Sequence, residues 1–526
     1  MTTIQEAKKV LTHLGYALRK DSLTKEETDE LRKSLTVAPK ANMKFGDVGD
    51  PFTVFMESKT RFYIPRMWGQ EKYGEPEMNI LTDGEDIRED LQFIGTPYEY
   101  QEDIVNTFIG AGGNGLICVP CGRGKTFMAI HCARKLGKKF MVVVDKEFLL
   151  QQWSEELKSL LPGIRIGILQ GDKKQIGTEI LVSKPLTIPE LKEKAREAKL
   201  KVGGSRDELL TRLKEANIDV SPKEESITYD CTIAMIQTLV QRDFKETEFR
   251  EFGFAIFDEC HHLGAAHFSK ALLKIQPKHM LGLSATPTRD DGLTKVFEWF
   301  LGKPVYWEKT REPDPDVIVR RVNFDTDDEE YTKVPTDYRG ETVLARLMTQ
   351  IVECEERNSM IDKIVDDLLK EDKRKILVLS ERKSHLERIE TGLPKGTEFA
   401  YYIGGMKTEE REEGARRAKV LLATYQMASE AMNIKSLNTM IMASPRKKIE
   451  QSTGRILRVQ KKDRDVDPLI VDIVDSHDFY QNQWNRRRIY YKKCKYQIEG
   501  EKKKEEKKET REPKEEFTGG CMITDD

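Results

Sequence analysis

Twice along this chain, short apolar runs alternate with helical patterns, and no other feature limits its possible folds so strongly. The first block extends from Gly95 to about Tyr306 and contains Leu116-Ile-Cys-Val, Phe140-Met-Val-Val-Val, Phe254-Ala-Ile-Phe and His279-Met-Leu-Gly-Leu. The second contains Lys375-Ile-Leu-Val-Leu, Glu398-Phe-Ala-Tyr-Tyr, Val420-Leu-Leu-Ala, Thr439-Met-Ile-Met-Ala and Leu469-Ile-Val-Asp-Ile. Near-continuous apolar runs suit strands buried on both faces, as in a parallel sheet covered by helices. An α/β class with two tandem parallel-sheet domains follows, and 526 residues exceed what one core usually organises.

The expected divisions are an N-terminal accessory region over 1–94, a first domain over 95–310, a linker over 311–345, a second domain over 346–497 and a charged, disordered tail over 498–526. Residues 1–37 carry Ala7, Val10, Leu11 and Leu14 at helical spacing, with a cap-like break at Ser22-Leu-Thr-Lys-Glu, so two short helices are expected. Phe52-Thr-Val-Phe-Met and Arg61-Phe-Tyr-Ile-Pro read as strands. The linker rests on Pro313, Pro315 and the acidic run from Asp325 to Glu330. The tail rests on Glu501-Lys-Lys-Lys-Glu-Glu-Lys-Lys-Glu, which offers nothing to bury.

With 88 basic and 90 acidic residues the net charge is -2, so any polyanion site must be local. No apolar run reaches membrane-span length, and the polar start lacks a signal-peptide core, so an intracellular, soluble protein without a membrane partner is expected. The compartment, whether nucleus, cytoplasm or a viral one, is not readable. The eight cysteines read as free thiols. Cys118 and Cys121 form a lone CxxC whose second member falls inside a phosphate-type loop, which argues against zinc.

That loop is Val119-Pro-Cys-Gly-Arg-Gly-Lys-Thr126, set between a strand and a helix. Its backbone N–H groups, from Cys121, Gly122, Arg123 and Gly124 onward, together with the helix dipole, suit the phosphates of ATP. Lys125 is expected on the β and γ phosphates and Thr126 on magnesium. Val119 stands where the motif usually begins with glycine. Ala255-Ile-Phe-Asp-Glu-Cys-His-His262 supplies the second half: Asp258 for magnesium and Glu259 to polarise a water.

The order of these boxes with Leu283-Ser-Ala-Thr-Pro and Gln451-Ser-Thr-Gly-Arg-Ile-Leu-Arg458 resembles superfamily 2 helicases, which have two RecA-like domains. Pro120-Cys-Gly-Arg-Gly-Lys-Thr and Ser284-Ala-Thr-Pro-Thr-Arg-Asp-Asp are similar to the XPB and UvsW group and its relatives in large DNA viruses. The resemblance covers about residues 95–495. It implies that Gln101 lies on the adenine side, with Tyr98 where many members have arginine. It also implies that Ser284 and Thr286 couple hydrolysis to domain motion, and that Gln451, Arg455 and Arg458 reach toward the γ phosphate; His261 and His262, so close to the carboxylates, are expected to couple nucleotide to the neighbouring motif rather than to hold a metal. Arg289-Asp-Asp291 resembles an Arg-Glu-Asp element near DNA, and Glu430-Ala-Met-Asn-Ile434 resembles a coupling motif carrying Glu430 and Asn433.

Candidate phosphate-backbone contacts are the turns at Asp145-Lys146, Gln170-Gly171, Gln237-Thr238, Ser380 to Arg382 and Gly404-Gly405. An insert over 180–220 resembles a SAP module, with Leu191, Leu209, Leu210 and Leu213 inside and Lys199, Lys201, Arg206 and Arg212 available to phosphate; an amphipathic hairpin with protein contacts alone reads the same text. Arg486-Arg-Arg-Ile-Tyr-Tyr-Lys-Lys493 reads equally as a stacking surface or as a helix packed on the second domain. The expectation is an ATP- and magnesium-dependent DNA helicase or translocase. An RNA helicase and a non-hydrolysing nucleic-acid scaffold are the alternatives.

Overall fold

The computed structural model describes residues 3–39, 50–182, 186–220, 224–245, 247–261, 266–285, 292–309, 313–430, 434–459 and 461–499, with positions 288 and 432. The tail expected over 498–526 lies outside the described residues beyond Glu499.

The first parallel sheet has eight strands, in the order Lys173–Lys174, Ile166–Gln170, Cys231–Met235, Phe140–Val144, Phe254–Phe257, His279–Ser284, Asn114–Cys118 and Pro304–Trp307. All neighbours pair in parallel except the first two, which form an antiparallel edge. Phe140–Val144 is buried at all five positions because helices cover both faces, which explains its uninterrupted apolar text. The second sheet has seven parallel strands: Phe399–Tyr402, Val420–Thr424, Ile376–Ser380, Thr439–Met442, Leu469–Asp475, Ile318–Phe324 and Gln497–Ile498. These are the two RecA-like units.

The linker expectation over 311–345 is corrected here. Ile318–Phe324 pairs with Leu469–Asp475 at all seven positions, in the interior of the second sheet. Val319 and Phe324 are buried, but Arg321 and Asn323, on the same face as Val319, are exposed, which gives the segment polar text despite its place in the sheet.

The expected helix through Ala7 to Leu14 is also corrected. Lys9–Thr12 and Gly15–Arg19 form an antiparallel hairpin with Thr12 opposite Gly15, whose φ of 113° favours glycine at the turn. Arg61–Ile64 extends this sheet, burying Phe62 and Ile64. The second expected helix is present as Lys25–Ser34, started by a reciprocal capping box between Thr24 and Glu27.

Tyr16, Leu31, Phe62 and Ile64 share one continuous core with Leu116, Phe257 and Leu301 of the first domain. Arg66, 2% exposed, bridges the same boundary by donating to the Pro277 carbonyl at 2.9 Å and to the Asn114 side chain. A buried guanidinium requires such acceptors, so the accessory region is fixed to the motor rather than tethered to it.

Thr178–Val182 and Glu224–Thr228 form a two-stranded antiparallel stalk leaving the first domain. It carries two helices, Ile188–Glu197 and Arg206–Glu215, packed through Leu191, Ala195, Leu209 and Leu213. Both have capping boxes, at Thr187 with Glu190 and Ser205 with Glu208.

Candidate active site and nucleic-acid face

The motifs of the first domain lie just beyond the C-terminal ends of its parallel strands, the edge at which open α/β sheets form their binding crevices. Asn114–Cys118 runs into the phosphate-type loop, and Gly124 caps the helix Lys125–Leu136. Gly122 and Gly124 have φ of 85° and 80°. A Cβ at 124 would stand 2.5 Å from Gln101 Nε2, so glycine is required there by both space and conformation. Gln101 is 5% exposed; its Nε2 donates to the Arg123 carbonyl at 3.1 Å and its Oε1 accepts from Tyr98 N at 3.0 Å. The amide therefore braces the loop. Arg123 is held in turn, with its guanidinium 3.9 Å from the Tyr100 ring centre and Nε 3.0 Å from Glu308 Oε2.

Two strands away in the sheet, Asp258 and Glu259 follow Phe254–Phe257. Asp258 Oδ2 accepts from Trp153 Nε1 at 2.8 Å and Oδ1 from Glu259 N at 2.9 Å. Enclosure in the cleft and the adjacent Glu259 push the Asp258 carboxyl up to about 6, against the opposing Trp153 bond and Lys125. Glu259 has φ of 43°, a left-handed value rare outside glycine, and its Oε1 lies 3.9 Å from Lys125 Nζ. Burial works to lower the Lys125 ammonium, but the Cys121 sulfur, Glu259 and Asp258 together hold it above its ordinary value. One cation among two carboxylates, at a helix N-terminus, is a donor set that fits a triphosphate with a divalent ion.

His261 Nδ1 stands 3.3 Å from Glu259 Oε2 and 3.1 Å from the fully buried Ser284 Oγ. It thereby joins the carboxylate box to the end of the neighbouring strand. Thr286 and Arg289 lie outside the described residues, as do His262, Asn433 and the side chain of Glu430.

The second domain brings Arg455 and Arg458 to this cleft, just after the short helix Glu450–Thr453 that carries Gln451. A Cβ on Gly454 would reach 3.0 Å from the Cys121 Cβ, so the two loops pass in contact. Arg455 acts electrostatically on Lys125, while burial and Arg455 bring Arg458 down to about 10 against Cys121 and Glu156 of the first domain. Both arginines donate to the Met432 carbonyl at 2.7 Å. Cys118 is buried at its strand end, which pushes its thiol up to about 12.

The candidate backbone-contact turns come together in each domain. Gln237 Nε2 donates to the Asp145 carbonyl at 2.7 Å, and Thr238 Oγ1 accepts from Gly171 N at 3.0 Å, linking three turns on the first domain. On the second, Lys383 Nζ donates to the Gly404 carbonyl at 2.8 Å, joining the Ser380–Arg382 turn to Gly404-Gly405. In the insert, Lys199 and Lys201 are exposed, while Arg206 and Arg212 donate to the Leu186, Lys201 and Gly203 carbonyls. In the helix Asp478–Lys493, Arg487 is buried on both oxygens of Asp472, to which Tyr491 also donates, so that face of the basic–aromatic stretch is core.

Trp153, Tyr100, Glu308 and the Met432 carbonyl were not singled out from the sequence. Trp153 is one apolar position of an amphipathic helix in the text, and nothing local marks its indole N–H as a partner for a carboxylate more than a hundred residues away.

Two parallel RecA-like sheets with a phosphate loop and an Asp-Glu box on the first, and arginines from the second in the same cleft, define a P-loop motor ATPase. Comparison with known proteins narrows the class. Residues 94–289 match the family described as type III restriction enzyme, res subunit, and residues 357–461 match the helicase conserved C-terminal domain. The chain is 28% identical over 504 residues to a putative ATP-dependent RNA helicase, L396, of Acanthamoeba polyphaga mimivirus, covering 93% of this chain and 86% of that protein. It is 26% identical over 442 residues to the putative ATP-dependent RNA helicase QP509L of African swine fever virus, covering 75% and 73%. A putative DNA 3'-5' helicase Rad25 of Halobacterium salinarum is 27% identical over 260 residues, 48% of this chain and 34% of that protein. The chain is a superfamily 2 helicase, an ATP-dependent enzyme that acts with nucleic acid. Among the described residues no helix is long and apolar enough to cross a membrane.

Proposed function

We propose that this helicase is a DNA-directed translocase that hydrolyses Mg-ATP between its two domains. The observation that carries the reading is the convergence of Lys125, Asp258 and Glu259 with Arg455 and Arg458 in one cleft between two separate sheets. Lys125 holds the β and γ phosphates, Glu259 orients the attacking water, and Gln451, Arg455 and Arg458 stabilise charge developing on the γ phosphoryl group. Thr126 and Asp258 are the residues that would hold magnesium, which when bound neutralises phosphate charge. Backbone N–H groups from Cys121 to Gly124 cradle the phosphates, with Gln101 bracing their loop on the adenine side.

The arginines arrive with the second domain, so closure and hydrolysis are one event. The His261–Ser284 contact gives the carboxylate box a direct mechanical link to the strand before Thr286. Gln237 and Thr238 fix their turns against the phosphate backbone, with Arg289, and with Lys199 and Arg206 on the insert read as a SAP-like arm, as further contacts. The likeness of the motifs to the XPB group and the exposed lysines of that arm favour DNA. The names of the viral relatives favour RNA as the second reading.

Steady-state ATP hydrolysis with magnesium, with duplex DNA, single-stranded DNA or RNA, separates the readings. DNA stimulation abolished by Glu259→Gln is the expected result. Preferential RNA stimulation overturns the substrate, and no turnover with any polymer overturns the motor.

A further inference from the structure

A groove of about 540 Å³ lies on the second domain, lined by residues that follow the C-terminal ends of Ile376–Ser380, Thr439–Met442 and Leu469–Asp475. Arg382, Arg446, Lys447 and Lys448 line it; Glu381 is the one carboxylate among its described lining residues, and Arg446 is paired with it. Four cations against one anion make a local positive site on a chain whose net charge is only -2. Met348, Phe479 and Tyr480 supply apolar lining, and Gln483 is the remaining polar side chain. No described residue of the first domain lines the groove, so it is separate from the ATP cleft.

Glu381 N donates to Ser444 Oγ at 2.8 Å, which ties the Ser380–Arg382 turn to the loop Pro445 to Lys448. Lys383 ties the same turn to Gly404-Gly405, so the groove continues a face already marked by two candidate backbone-contact turns. Arg382 Nη2 donates to the Ala345 carbonyl at 3.4 Å, joining that turn to the helix Leu344–Glu353. A hairpin leads into this helix: Thr336 pairs with Thr342, and Val343 N donates to the Pro335 carbonyl at 2.8 Å. Asp337 Oδ1 accepts from Arg339 N at 2.8 Å and from Glu341 N at 3.0 Å, and Gly340 turns the chain with φ of 80°. At this braced tip Tyr338 is 87% exposed, with the Arg339 guanidinium 5.1 Å from its ring centre. The ring buries almost nothing, so the hydrogen bonds of the turn hold in place an aromatic face that the fold itself does not use.

We propose that this groove and hairpin hold an unpaired strand of nucleic acid as it passes the second domain, with phosphates on Arg382, Lys447 and Lys448 and a base stacked on Tyr338. The inference rests on the reading of the chain as a motor on nucleic acid and adds to it a strand site on the second domain. Proteins that hold single strands combine a cationic groove for the backbone with aromatic or guanidinium faces for the bases. Bases inside a duplex are already stacked on both sides, so an exposed ring at a hairpin tip takes a base from an unpaired strand.

The test uses the full chain without nucleotide, titrated into fluorescein-labelled single-stranded oligothymidylate and oligouridylate, with affinity read by anisotropy between about 50 and 200 mM salt. The double variant Lys447→Ala, Lys448→Ala should weaken binding and lower the slope of log affinity against log salt by about 1.4, since each phosphate contact on a single strand contributes about 0.7. Tyr338→Ala should weaken binding by roughly 5- to 100-fold, the equivalent of one lost base stack, and leave the salt slope unchanged. Tyr338→Phe, which keeps the aromatic face, should bind as the parent does. All these positions are exposed, so the variants fold. The oligonucleotide that binds more tightly identifies the sugar of the strand. Parent-like affinity and slope in both alanine variants overturn the site and leave the motor reading standing, whereas a parent protein that binds neither oligonucleotide overturns both. A loss confined to the lysine variant overturns the stacking of a base on Tyr338.

Discussion

Trp153→Phe isolates one hydrogen bond in the motor. The indole of Trp153 is 1% exposed and packs in the core of the first domain, while its Nε1 donates to Asp258 Oδ2 at 2.8 Å. Phenylalanine keeps an aromatic ring in that space and removes the donor. A hydrogen bond to a charged acceptor is worth about 1.5–3 kcal/mol, and to a neutral one about 0.5–1.5 kcal/mol. Asp258 titrates near 6 in this fold, above the usual 3.8, so it is charged at pH 7.5 and mostly neutral at pH 5. The substitution therefore destabilises the metal-free, nucleotide-free protein by about 1 kcal/mol more at pH 7.5 than at pH 5, because only the charged form loses the stronger bond. Urea unfolding followed by a first-domain probe at the two pH values measures that difference. In the ATPase assay, a carboxylate freed to turn away from the magnesium position should lower kcat by roughly 10- to 100-fold, the kinetic equivalent of the same 1.5–3 kcal/mol. Equal destabilisation at both pH values, with kcat within twofold of the parent enzyme, would refute the assignment of Trp153 as a positioning residue.

Glu259→Gln should retain nucleotide binding, since Lys125 and the loop are untouched, yet lower turnover by at least about 100-fold through loss of the water-orienting carboxylate; equilibrium binding beside single-turnover hydrolysis checks both halves. Arg357→Met should destabilise the second domain by about 3–5 kcal/mol, because Asp475 and Arg357 are both wholly buried and joined by two bonds of 2.6 and 3.1 Å. Adding Asp475→Asn should recover part of that loss in the same unfolding assay; a simple additive double variant contradicts the coupling. Acid should weaken the second domain well above the range of carboxylate titration. His385, buried between Ser380 Oγ and Asn358 Oδ1, is pushed down to about 3 by burial and the nearby arginines, from an ordinary 6.5. Between those values the unfolded chain binds the extra proton, so stability falls as pH drops below 6.5, by about 2 kcal/mol from pH 7 to pH 5. His385→Gln should flatten that slope in pH-dependent denaturation.

Sequence text determined what depends on local chemistry. The loop Gly122-Arg-Gly-Lys125-Thr126 needed glycines at positive φ and a following helix, and both are written in adjacent residues. Continuous apolar runs announced parallel sheets because burial on both faces leaves no polar alternation to hide them. The same logic failed where burial was partial or register was set from afar. Ile318–Phe324 looked like linker because Arg321 and Asn323 are exposed, and its strand character comes from seven pairings with Leu469–Asp475. Val10 and Leu11 fit a helical period by spacing alone, yet antiparallel pairing with Tyr16 and Ala17 made them a hairpin. Motif resemblance, rather than local chemistry, anticipated that Arg455 and Arg458 reach the loop around Lys125. Tertiary structure alone decided that Trp153 holds Asp258 and that Arg123 lies between the Tyr100 ring and Glu308, because each depends on distances between segments that no local pattern of residue types encodes.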